Sequence, residues 1–202
     1  KSGQSIKKPK EQLSTYTKIY NDHFKGGVRV SKELVYDRLS ENEMIDGIMS
    51  NNLQRKNRSR EEVIAHCSIG VACELGIAAI TKGTMNPAQF DKRVRDTYGW
   101  DVRCGLTGLR LEVKYHSAKW WSYPLKNIQT LMKNIAEDAV DLIITAKVVE
   151  DGDGYMIYPR VLLDPAGFRE FSTKSNYNED YYFNHELGKR KGVCSEYNSV
   201  LT

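Results

Sequence analysis

Cysteine is scarce in this 202-residue chain, with four residues at positions 67, 73, 104 and 194. They form no CxxC pair and have no histidine nearby at zinc-finger spacing, so neither a disulfide framework nor a structural zinc site is suggested. Reduced thiols in a cytoplasmic protein are expected. No stretch approaches the eighteen or so uncharged apolar residues of a membrane span, and the first residues lack the apolar core of a signal peptide. A soluble protein is therefore expected. The chain also lacks internal repeats and low-complexity tracts.

Charge of either sign is close to balance: 30 Lys and Arg against 26 Asp and Glu leave a formal +4 and a pI near 8.8. So mild an excess fits a polyanionic partner without requiring one. At 40% hydrophobic the chain can bury one sizeable core, which favours a single domain with an N-terminal extension.

Residues 1–12, KSGQSIKKPKEQ, are basic and nearly free of large apolar side chains, and read as a flexible arm. Gly26 and Gly27 break the chain before Ser31, which can cap a short helix carrying Leu34, Val35 and Leu39. Ser40 with Glu43 forms a capping-box pattern for a second helix, with Met44, Ile45, Ile48, Met49 and Leu53 at helical spacing. Residues 1–58 are thus expected to be a basic arm and helical cap. A further capping box, Ser59 with Glu62, opens a helix to about Thr81, ended near Gly83 and apolar on nearly every side. Such a helix is normally buried all round.

A polar helix is expected around Pro87–Thr97, then strands at Trp100–Cys104 and Leu109–Tyr115 joined by a glycine-containing turn. Ser122 and Pro124 have the character of a helix start, with Leu125, Ile128, Leu131, Met132, Ile135 and Ala139 as its buried stripe. Leu142–Val149 and Tyr155–Leu163 read as strands joined by the turn EDGDG. The order helix, strand, strand, helix, strand, strand defines an α/β core over residues 59–163. Residues 164–202 are expected to be an aromatic and basic extension packed on the core, with no regular structure assigned.

Chemistry concentrates in WDVRCGLTGLRLEVKYH, residues 100–116. Alternation along a strand puts Glu112 and Lys114 on one face and Leu111, Val113 and Tyr115 on the other. If the two strands pair, Asp101 can approach Glu112, and two neighbouring carboxylates repel unless a cation lies between them. Magnesium suits hard oxygen ligands and keeps waters that can act as nucleophiles. Strand surfaces also carry Glu and Lys in alternation simply as a solvated face, so a surface salt-bridge cluster is the competing reading.

The pattern over roughly residues 60–150 resembles the PD-(D/E)XK nuclease superfamily. Trp100 stands where the family name has Pro, a position that varies in the family. The resemblance implies a restriction-endonuclease-like core, a mixed central β-sheet flanked by helices, here with a helical N-terminal extension. It also implies that Asp101 and Glu112 ligate one or two Mg2+ ions, with Mn2+ able to substitute. Val113 would offer its carbonyl, and Lys114 would orient the attacking water or stabilise developing charge. The implied activity is endonucleolytic hydrolysis of DNA by metal-activated water. Alternatives are a structure-specific nuclease acting on junctions or flaps, or a non-catalytic nucleic-acid-binding protein. Because cutting both strands usually takes two active sites, a homodimer is compatible with this reading.

Glu74 adds an independent argument as the only charged residue between His66 and Lys82 in the apolar helix. A buried carboxylate needs compensation; the resemblance implies that Glu74 joins the catalytic site and reaches the metal directly or through water, the alternatives being a structural ion pair or a helix face open to solvent. His116, Lys119, Arg55, Lys56 and Arg58 are candidate nucleic-acid contacts through charge, and Trp120 and Trp121 could stack on a base. Each has an ordinary alternative as a solvated or core side chain. His23, His66 and His185 have no partner visible in the sequence and are assigned nothing.

Overall fold

The computed structural model describes residues 26–40, 44–50, 57–90, 99–116, 122–125, 137–163, 165, 172–174, 181–184 and 194–196. In chain order these form β1 (Val28–Ser31), α1 (Lys32–Ser40), α2 (Met44–Ser50), α3 (Arg60–Ile80), β2 (Thr84–Met85) and a 3-10 turn (Pro87–Phe90). They continue as β3 (Val102–Arg103), β4 (Arg110–His116), β5 (Ser122–Leu125), β6 (Leu142–Asp151), β7 (Gly154–Leu163), β8 (Ser172–Lys174), β9 (Tyr181–Asn184) and β10 (Cys194–Glu196). The main sheet runs β1-β7-β6-β4-β3-β2, with β10 also pairing to β7. Among the described strands of this sheet β4 and β6 are parallel and the other pairs antiparallel. The protein is therefore mixed α/β with a mixed central sheet. Strands β5, β9 and β8 make a second, smaller sheet.

The parallel pair sits at the centre, and its sequence shows why. Leu142, Ile143, Ile144, Thr145 and Ala146 are all buried in succession, as in a strand covered on both faces. Beyond them β6 turns into β7 through Gly152, at φ +57°, a left-handed position that glycine adopts at little cost. The EDGDG turn expected from sequence forms this hairpin.

Helix α3 covers one face of the sheet. Its start is a complete capping box: the Ser59 side chain accepts from Glu62 N–H, and the Glu62 carboxylate accepts from Ser59 N–H. Val63, Val71, Ala72, Cys73 and Ile77 enter the core with Leu111, Val113, Leu142, Ile144 and Ile157. A Cβ at Gly76 would lie 2.8 Å from Ile157 Cγ1 and 2.9 Å from Val28 Cγ1. Only the missing side chain lets the helix approach the sheet so closely there. The expectation that α3 is buried all round needs correcting, since Ala65, His66 and Ala79 are exposed. The helix also meets the length and composition of a membrane-crossing segment, against the expectation that no stretch would; its most buried residues are part of the protein core.

Other expectations divide. Ser31 Oγ accepts from Leu34 N–H at 3.1 Å and starts α1, as its position suggested, while Val28–Ser31 before it is a strand of the main sheet. Ser122 and Pro124 do not start a helix. Ser122–Leu125 pairs antiparallel with Tyr181–Asn184 at the edge of the small sheet, where a proline is tolerated because one side of the strand needs no donor. The stripe from Ile128 to Ile135, the helix around Pro87–Thr97 beyond Phe90, and the basic arm lie outside the described residues. The C-terminal extension contributes β8, β9 and β10, to which no regular structure was assigned from sequence.

Candidate active site

Strand β4 carries the candidate residues between two unlike neighbours. On one side it pairs with β6 along its length, Glu112 opposite Ile143 and Lys114 opposite Thr145. On the other side β3 is only two residues long, Val102 pairing with Leu111 and Arg103 with Arg110. Among the described residues no strand pairs with β4 beyond Leu111 on this side, and a side chain takes that place. Asp101 fills it: its Oδ2 accepts from Val113 N–H at 2.7 Å. In a strand the N–H and C=O of one residue leave on the same side, so the Val113 carbonyl also points toward the Asp101 edge.

Asp101 reaches this edge through a β-bulge. Its N–H donates to the Leu111 carbonyl at 2.9 Å, although Val102 is the register partner of Leu111. Two residues of one strand then oppose one of the other, an arrangement that re-aims a side chain. The start of β4 is fixed separately: Asp141 accepts from Arg110 Nε at 3.0 Å, Arg110 NH2 at 2.9 Å and Arg110 N–H at 2.7 Å.

As the alternation predicts, Leu111, Val113 and Tyr115 join the core side. On the opposite face Lys114 Nζ donates to Glu112 Oε1 at 2.5 Å. Asp101 is 6% exposed and Glu112 7%. Burial, then the charge of Glu112, push the Asp101 carboxyl up from 3.8 to about 7, against the opposing pull of Lys114 and the Val113 N–H. For Lys114 burial disfavours the charge, but Glu112, Asp101 and Glu74 together outweigh it and hold the ammonium above its ordinary range. Among the described residues the site is a buried group in which the Asp101 and Glu112 carboxylates face the Lys114 ammonium.

Glu74 projects from α3 within electrostatic reach of this group. Its charge acts on Lys114 and Tyr115, and both Glu74 and Asp101 act on the buried thiol of Cys73, raised chiefly by burial. Among the described residues no set of three or more His, Cys, Asp and Glu side chains is gathered closely enough to hold a metal. The structure therefore brings Asp101, Glu112, Lys114 and the Val113 backbone together, with Glu74 nearby as a source of charge. His116 is placed by its backbone at the end of β4, opposite Lys147. Arg58 precedes α3 and is half-buried. Arg55, Lys56, Lys119, Trp120 and Trp121 lie outside the described residues. The Arg110 and Asp141 clamp escaped sequence reasoning because partners 31 positions apart share no local pattern.

No curated protein matches the chain. The model of the family described as bacteriophage T4 endonuclease IV matches residues 21–185, a span that contains every element from β1 to β9 and the whole of the acid and lysine group. By that match the protein belongs to the bacteriophage T4 endonuclease IV family.

Proposed function

We propose that the protein is a divalent-metal-dependent DNA endonuclease whose centre is Asp101, Glu112 and Lys114, of the kind found in the PD-(D/E)XK superfamily. The observation that carries this reading is the pair of buried carboxylates beside β4, with the Lys114 ammonium against them. Membership of an endonuclease family supports hydrolysis of a phosphodiester, and the mixed sheet with α3 on one face is consistent with a restriction-endonuclease-like core.

The donor set fits Mg2+. Val113 N–H engages Asp101 Oδ2 and Lys114 engages Glu112 Oε1, which leaves Asp101 Oδ1, Glu112 Oε2 and the Val113 carbonyl as oxygens to offer. Magnesium binds through one or two carboxylates and keeps several waters, so a third carboxylate is not required. When bound, the ion would lower the pKa of a water and stabilise charge on the phosphate and leaving oxygens. Two buried neighbouring carboxylates gain from a cation, which offsets both the burial and the Glu112 charge that raise Asp101.

The chain's own groups supply the rest. Lys114, held charged by its acidic neighbours, can direct an N–H toward a phosphate oxygen or the attacking water while another N–H stays on Glu112 Oε1. Its charge is worth more here than in bulk water because the site is buried. Asp101, locked to the β4 backbone, does not need to reorganise as the reaction proceeds. Glu74 adds negative charge that favours cation binding, and Mn2+ is expected to substitute for Mg2+.

The test is incubation of the purified protein with plasmid, single-stranded DNA and RNA, with Mg2+ or with a chelator. DNA cleavage that needs the divalent ion and disappears in Asp101→Asn and Lys114→Met supports the proposal. Cleavage indifferent to the chelator, or wild-type protein inert on every substrate, removes it.

A further inference from the structure

The backbone around Asp101 is gripped by a residue outside the acid and lysine motif. Asn86 follows β2 and is 7% exposed. Its backbone N–H donates to the Asp101 carbonyl at 2.8 Å, and its side-chain Nδ2 donates to the Trp100 carbonyl at 2.9 Å. Its Oδ1 accepts from Ala88 N–H at 3.1 Å, a local turn that orients the amide. One residue thus holds both carbonyls that bracket the Asp101 Cα.

The bulge makes this grip consequential. In an unbroken strand the N–H and C=O of one residue face the same neighbour. At Asp101 the N–H goes to Leu111 on β4, while the C=O goes to Asn86 on the opposite flank. The backbone is turned at this residue, and the direction of its carboxylate depends on both ends of the turn being held.

We infer that Asn86 is a positioning residue that aims the Asp101 carboxylate at the Val113 N–H and the candidate metal site. Its effect on cleavage rests on the function proposed above; its effect on Asp101 does not. The role needs a short side chain with both a donor and an acceptor. Alanine offers neither, and serine keeps the turn acceptor but is too short to replace the amide donor. The sequence shows no sign of this role, because Asn86 before Pro87 is also an ordinary turn signal.

Two variants test it, Asn86→Ala and Asn86→Ser, the second retaining the acceptor for Ala88 so that the local turn survives. The first readout is amide exchange in metal-free protein, comparing Val113, whose N–H is bonded to Asp101 Oδ2, with Val148, paired to Ile157 in the distant hairpin. Exchange at Val113 should accelerate at least about tenfold more than at Val148. The second readout is the Mg2+ concentration for half-maximal DNA cleavage, expected to rise roughly 10- to 100-fold, the range for loss of a group supporting a metal ligand. Equal acceleration at Val113 and Val148 overturns the positioning role, whatever the cleavage assay shows. Selective loss at Val113 in a protein whose wild type never cleaves DNA would uphold the role and overturn the proposed function instead.

Discussion

Asp101 is held against its own preference. Burial, and then the charge of Glu112, push its carboxyl up from 3.8 to about 7. With the folded value above the unfolded one, the folded state binds the proton more tightly between roughly pH 4 and 7, so metal-free stability falls as pH rises through that window. Asp101→Asn keeps an acceptor for Val113 and removes the titration. Metal-free melts should show the variant gaining on wild type from pH 4 to 7, reaching an advantage on the order of a few kcal/mol above pH 7. Parallel pH curves for the two proteins would show that Asp101 is not strained.

Lys114 has the opposite role. Removing it leaves the buried Glu112 with no counter-charge from Lys114, so Lys114→Met should destabilise the metal-free protein by about 3–5 kcal/mol. Cleavage should fall on the order of 10²- to 10³-fold if the ammonium stabilises the reacting phosphate. Added Mg2+ should recover part of the lost melting temperature, because the ion replaces the missing charge at Glu112. Calorimetric melts with and without Mg2+ check this directly; loss of activity with unchanged stability would separate Lys114 from Glu112.

At the scale of the elements, β4 is registered by the Asp141 and Arg110 clamp, which ties its first residue to the residue before β6. Burial raises the Asp141 carboxyl, but the bonds and charge of Arg110 outweigh this and hold it below its ordinary value. Its contribution is therefore present above the unfolded pKa and lost as pH falls through the folded one. Asp141→Asn should cost about 1.5–3 kcal/mol at pH 7, with the difference from wild type shrinking in acid. Chemical denaturation at pH 7 and pH 3 measures both. In α3, Ile77 is fully buried, and Ile77→Ala should cost about 2–5 kcal/mol without altering Mg2+ requirement.

What could be read from sequence at this scale follows the range of the interaction. The Ser59 and Glu62 capping box, the alternation of Glu112 and Lys114 against Leu111 and Val113, and the EDGDG turn are set within a few residues, and each formed as expected. Ser122 and Pro124 misled because their helix-start chemistry is also local, whereas their pairing with Tyr181–Asn184 depends on a strand some sixty positions away. The bulge at Asp101 and the grip of Asn86 were hidden for the same reason. Both depend on backbone atoms from three separate elements, and backbone atoms leave no mark in a sequence. The approach of Asp101 to Glu112 was legible; the hydrogen bond to Val113 that fixes it was not.

At the scale of the whole molecule, the family match covers residues 21–185, and the catalytic proposal occupies a small part of that span. The mixed sheet and α3 bring an aspartate from a bulge, a glutamate and lysine from a central strand, and the charge of a helix glutamate into one buried region. The formal charge of +4 is compatible with a polyanionic substrate, and DNA binding through phosphate contacts should weaken steeply with added salt. The most direct test of the central claim is a crystal structure with Mn2+, located by its anomalous scattering. The ion is expected about 2 Å from Asp101 Oδ1, Glu112 Oε2 and the Val113 carbonyl. A fully occupied ion elsewhere, or none at saturating Mn2+ with Lys114 still closing the carboxylate pair, would contradict it.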